Sequence, residues 1–172
     1  TWVHQLITAM KDLRFGIVFL AAHSDPTRTV KYEMPAHVLY LKEIALHDYN
    51  LEASRKGSPR KADFDVVRRF YHEVLAEKYG RFEDFVRLFQ GDESCLDAPT
   101  AFSSKQIWDI LTDFYDHSAA GISFLDYFWT WRGTHLPLLQ ILKAEVPPAK
   151  IYHAVSTGYA GLLGAVAKCV TG

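Results

Sequence analysis

The chain has 172 residues, 49% hydrophobic and 23% charged, with a formal net charge of −1. That length is enough for one domain with a sizeable core, and the even charge balance excludes the clustered Lys/Arg excess needed for electrostatic nucleic-acid binding. No apolar run approaches the ~20 residues that span a bilayer, and no segment has the pattern of a signal peptide. The two cysteines, Cys95 and Cys169, have no pairing pattern. They are expected as free thiols in a reducing compartment, which points to the cytoplasm.

Residues 1–11 predict a helix, because Val3, Leu6, Ile7 and Met10 recur at helical spacing. The first residue, Thr1, already opens this amphipathic segment, so the chain is expected to be a piece of a longer protein, truncated at both ends. Residues 14–22, RFGIVFLAA, form a nearly continuous apolar run, as buried parallel strands do. HSDPT at 23–27 is a turn, and residues 37–45, HVLYLKEIA, predict a second strand.

The polar stretch 50–62, with Gly57 and Pro59, reads as an exposed loop. From Asp63 the period becomes helical. Phe64, Val67, Tyr71, Val74 and Leu75 share one face, with a stop at Gly80. Phe82, Phe85, Val86 and Phe89 repeat the pattern up to Gly91. Ser103 and Gln106 have capping-box spacing, and Phe102 and Ile107 have staple spacing, which predicts a helix over 103–118. Residues 124–131 and 134–144 read as two helical pieces interrupted near Gly133 and Pro137. The fold class is therefore α/β: a parallel sheet carrying a helical insertion at about 60–133.

The chain closes on IYHAVSTGYAGLLGAVAKCVTG. Residues 150–155 predict a short strand, Ser156-Thr157-Gly158 a turn, and Tyr159 the start of a helix. Open α/β sheets bind ligands outside the carboxyl ends of their strands. A helix N-terminus there offers unpaired N–H groups and partial positive charge. Gly158 lets backbone approach a ligand, and His153 and Ser156 supply hydrogen-bonding groups. The same residue types also occur in any strand–helix turn, where caps demand them.

Other candidates weigh less. None of the eight histidines stands at i, i+4 from another, and neither cysteine lies in a CxxC pair, so no metal site is expected. Phe124, Phe128 and Trp131 share a helical face that reads as core, whereas Trp129 and Arg132 read as exposed. Arg132 suits a phosphate or carboxylate, or a surface ion pair.

Several strings are specific. TWVHQLI, RFGIVFLAA, SFLDYFWTWRGTHLPLLQILKA and IYHAVSTGYAGLLGAVAK resemble, in the same order and across nearly the whole chain, segments of the PelF-like glycosyltransferases of exopolysaccharide synthesis. The resemblance implies the N-terminal, acceptor-side domain of a Rossmann-like GT-B enzyme. It implies retaining, metal-independent transfer from a UDP-sugar to a polysaccharide acceptor, without a cofactor. It assigns substrate-binding positions to Thr1, Trp2, Arg132, His153, Ser156, Thr157, Gly158 and Tyr159. It assigns no catalytic residue: related enzymes carry a second histidine two positions beyond the first, and here that position is Val155. The alternative is a non-catalytic module that docks through its inserted helices on membrane-bound synthase subunits.

Overall fold

Two strands, β1 (Phe15–Ala21) and β2 (Val38–Ala45), lie side by side and parallel in the computed structural model, which describes residues 2–50, 59–78, 80–90, 96–119 and 121–172. The register runs from Phe15↔Val38 to Ala21↔Ala45, with one irregularity between Phe15 and Gly16 that leaves Leu39 bulged and exposed. At this point the Tyr40 ring lies over Gly16, so closely that a Cβ at residue 16 would sit 2.0 Å from the ring. Parallel strands need a long connection. Residues 22–37 provide it without a helix. An Asp25 turn braces it, with Thr27 N donating to Asp25 Oδ1 at 2.9 Å, as does an ion pair from Arg28 Nε to Glu43 at 3.0 Å.

Helix α1 (Trp2–Ala9) precedes the sheet, and His37 Nε2 ties its Ile7 carbonyl to the start of β2 at 2.9 Å. After β2 come α2 (Lys61–Leu75), α3 (Phe82–Arg87), α4 (Ala98–Ser103), α5 (Lys105–Ser118) and α6 (Phe124–Leu142). Helix α7 (Tyr159–Thr171) ends the chain. Phe64, Val67, Phe85, Val86, Leu136, Ile141 and Leu142 pack with Ile44 of β2 and Val166 of α7, so helices and sheet share one core. The fold is mixed α/β with a parallel pair, compatible with a Rossmann-like unit. Thr1, Gly91, Cys95 and most of the polar loop at 50–62 lie outside the described residues.

Four expectations change among the helices. Residues 124–131 and 134–144 are one helix, α6, with Pro137 inside it. Pro137 withdraws one donor, but it and Leu136, Leu139, Ile141 and Leu142 are buried. Burial of that face outweighs the ~3 kcal/mol a mid-helix proline costs. The cap of α5 is Ser104, whose Oγ accepts from Ile107 N at 3.3 Å. Ser103 instead closes α4, donating its hydroxyl to the Pro99 carbonyl. Helix α4 itself was not expected; Asp97 caps it by accepting from Thr100 N at 2.8 Å. Finally, helix α2 begins at Lys61, because Asp63 reaches back to accept from Arg60 N at 2.7 Å.

The largest correction concerns residues 150–155. They form no strand, and the sheet among the described residues is β1–β2 alone. A strand needs a neighbouring ladder, and this segment reaches neither strand. Ile151 is 82% exposed. Tyr152 holds the segment instead. Its hydroxyl accepts from Ala149 N at 3.0 Å, lies 3.1 Å from the Pro147 carbonyl and is 3.2 Å from Thr171 Oγ1.

Candidate functional site at the carboxyl edge of the sheet

The direction of residues 152–158 follows from their neighbours. Tyr152 stands beside Thr171 at the far end of α7, and Gly164 faces Ala154. The segment therefore runs antiparallel to α7. Upstream, the Glu145 carbonyl accepts from Lys42 Nζ, midway along β2. Tyr152 adds to the electrostatic environment of Tyr40, near the start of β2, where burial is the larger cause of a raised phenol pKa. The turn Ser156–Gly158 leads into α7, whose Tyr159 reaches Thr134 of α6, the helix that also holds Asp48 beyond the carboxyl end of β2 through Gln140. This is the side on which open α/β sheets hold ligands.

At the turn, Gly158 adopts φ 70° and ψ −133° and is the N-cap of α7. That region is open to glycine and strained for any branched residue. Nothing lies within 4 Å of where its Cβ would be, so the approach is clear. No side chain caps α7, and its first turn contains no acid. Its leading N–H groups therefore lack intrahelical partners, as at any helix start. Ser156, Thr157 and Tyr159 are exposed, as is His153. The Trp2 ring lies 6.1 Å from the His153 ring, so α1 contributes to the same surface. The Tyr159 hydroxyl donates to the Thr134 carbonyl at 3.5 Å, which joins the start of α7 to α6.

Trp2, His153 and the turn 156–159 are thus brought to one surface. Arg132 has a different contact: its guanidinium sits 5.5 Å from the Trp129 ring centroid in a cation–π arrangement. Thr1 lies outside the described residues. Gly161 and Gly164 turn α7 toward the segment that leads into it, not toward a strand. They face the Ser156 carbonyl and Ala154 at 3.7 and 3.8 Å, which are ordinary contact distances for a Cβ.

The sequence reading missed a second group at this edge. His23 Nδ1 lies 3.0 Å from Asp48 Oδ1, and Ser24 donates to Asp48 Oδ2 through its backbone N–H at 2.9 Å and through its hydroxyl. These hydrogen bonds, those from Ser24 first, hold the Asp48 carboxyl down at about 2. The available signal was positional: His23 and Asp48 each follow a strand end by a few residues. Elsewhere, His135 sits between Trp131 and Tyr71, with centroids 4.2 and 5.5 Å away. It borders an apolar cavity of about 30 Å³ together with Phe102, Leu138 and Leu139. Burial lowers its pKa to about 4. Cys169 is half-buried, and burial raises its thiol pKa. No cluster of metal-ligating side chains occurs among the described residues.

An α/β unit with a parallel pair and an open turn at its carboxyl edge defines the class. The chain belongs to the family described as "Domain of unknown function (DUF3492)", which it matches over residues 1–172; this domain is found in glycosyltransferase-like proteins. No curated protein and no solved structure matches the chain.

Proposed function

We propose that the chain is the N-terminal, acceptor-side domain of a PelF-like glycosyltransferase. The enzyme moves a hexose or hexosamine from a UDP-sugar to a growing exopolysaccharide in the cytoplasm. The observation that carries this reading is the turn Ser156–Gly158. Its glycine has positive φ, its surroundings are open, and it caps a helix whose first N–H groups lack intrahelical partners. Such a turn suits the hydroxyls and phosphates of a sugar nucleotide or its acceptor. Trp2, His153 and Tyr159 supply an aromatic and hydrogen-bonding wall beside it.

The test is UDP release from UDP-glucose and UDP-N-acetylhexosamines by the polypeptide that carries this domain, with acceptor oligosaccharide present. Release that depends on acceptor is expected. Its absence with every donor overturns the reading.

A second reading is favoured by one observation. Trp108, Ile122, Leu125 and Trp129 are all about half-exposed on α5, α6 and the turn between them. Exposed apolar residues of this size mark docking surfaces when contiguous. On this reading the chain is a non-catalytic module whose helical block docks on membrane-bound synthase subunits. No described helix is long and apolar enough to cross a membrane itself. Leu125→Ser with Trp129→Ser separates the two readings: lost membrane-fraction association with intact UDP release supports docking.

A further inference from the structure

The loops after β1 and β2 leave the sheet together. Their pairing continues past the strand ends, with Leu46 N donating to the Ala21 carbonyl at 2.8 Å and His47 N to the Ala22 carbonyl at 2.9 Å. This brings His23 and Asp48 together at the carboxyl edge. Asp48 is anchored from another element and His23 from within its own connection. Gln140 of α6 donates to the Asp48 carbonyl at 3.0 Å, and Arg28 donates to the His23 carbonyl at 3.2 Å. The Asp48 carboxylate is an acceptor only, so the His23 nitrogen facing it, Nδ1, carries the proton. The other nitrogen, Nε2, then presents a lone pair. Nε2 has no hydrogen-bond partner among the described residues, and the His23 side chain is 70% exposed. The His47 ring lies 5.6 Å from it and flanks one side.

A turn closed by Asp48 needs only the bonds from Ser24. The contact with His23 is a further bond to the same carboxylate, and it sets the tautomer of an exposed imidazole. It thereby prepares a hydrogen-bond acceptor at the edge where ligands bind such sheets. We propose that His23 accepts a hydrogen bond from a carbohydrate hydroxyl through Nε2, with Asp48 as its positioning residue. The inference rests on the glycosyltransferase reading for the choice of a saccharide as ligand.

The experiment is long-range proton–nitrogen NMR of the 172-residue chain at mildly alkaline pH, followed by titration with chitotriose. His23 is expected with its proton on Nδ1, and Asp48→Ala is expected to release it to a mixture of tautomers while amide dispersion persists. Chitotriose should shift the Nε2 resonance. His23→Ala and Asp48→Ala should each weaken binding by about tenfold, whereas Ser24→Ala, which leaves the His23–Asp48 contact in place, should bind as before. A proton on Nε2 in the unaltered chain overturns the proposal. So does undiminished binding by His23→Ala, which leaves the transferase reading standing. Absence of any chitotriose shift overturns it as well. Conversely, if no UDP-sugar is turned over while chitotriose still contacts His23, the transferase reading falls alone and the saccharide site stands.

Discussion

The helical block and the carboxyl edge are built on opposite terms. In the block, Phe70 stacks on Phe85 at 4.0 Å and 7°, Trp131 stacks on His135, and Leu136, Ile141 and Leu142 are almost wholly enclosed. At the edge, His153 and residues 155–159 are exposed and the segment 151–155 has no ladder. Helix α6 serves both: its carboxyl half is core, while Thr134 and Gln140 reach Tyr159 and Asp48. The difference shows where the free energy of folding resides. Packing in the block holds the frame, and the edge depends on backbone conformation and a few hydrogen bonds. Substitutions should therefore separate stability from binding cleanly.

The largest effect is expected in the block. Leu142 is 0% exposed, and Leu142→Ala should cost about 3 kcal/mol through lost transfer energy and a residual cavity. Denaturant melts check this; a cost as small as that of a surface substitution would break the comparison.

Acid should act on the same block. The neutral His135 ring is favoured in the folded chain, with a pKa of about 4 against an ordinary 6.5. Between these values the unfolded chain binds a proton that the folded chain does not, so stability falls as pH drops. The loss should begin near pH 6.5, be complete near pH 4 and total about 3 kcal/mol. His135→Phe, which keeps a ring between Trp131 and Tyr71, should flatten that dependence in melts across this range. An unchanged slope would mean that other groups set it.

The third effect belongs to the edge. Gly158→Val meets no steric obstacle but must hold a branched residue at positive φ, which costs about 1–3 kcal/mol. Turnover should fall by a larger factor than this strain accounts for. If kcat/KM stays within about twofold, the turn is only scaffold.

The smallest effect is Gly164→Ala. Its new Cβ would lie 3.8 Å from Ala154, and helix propensity favours alanine by about 1 kcal/mol. A neutral or slightly raised melting temperature is expected, with unchanged turnover. Clear destabilisation would show that α7 and residues 152–156 are packed more tightly than their spacing indicates.

Periodicity made the strands and most helices legible, because burial on one face imposes it directly: β1, β2 and α5 fall within two residues of the sequence reading, whereas α2 ends at Leu75, well before the stop expected at Gly80. Competing local signals were harder. Pro137 predicts a break, yet the apolar face from Leu136 to Leu142 overrides it. Two adjacent serines both suit a cap, and only the presence of α4 assigns Ser103 to one helix and Ser104 to the next. Residues 151–155 carry an apolar strand pattern, but composition cannot supply a neighbour to pair with. The turn of the candidate site was legible because Ser-Thr-Gly is demanded by backbone conformation. The His23–Asp48 contact was not, because it joins residues 25 apart through the register of two strands.

The Tyr40 ring lying over Gly16 carries a consequence for how this sequence can drift. A side chain at residue 16 and a phenol ring at residue 40 compete for one volume. Relatives should therefore vary the two positions together, a larger residue at 16 appearing only where residue 40 has lost its ring. Where glycine and tyrosine persist as a pair, the bulge at Leu39 should persist with them, since it sets the register in which the ring meets the glycine.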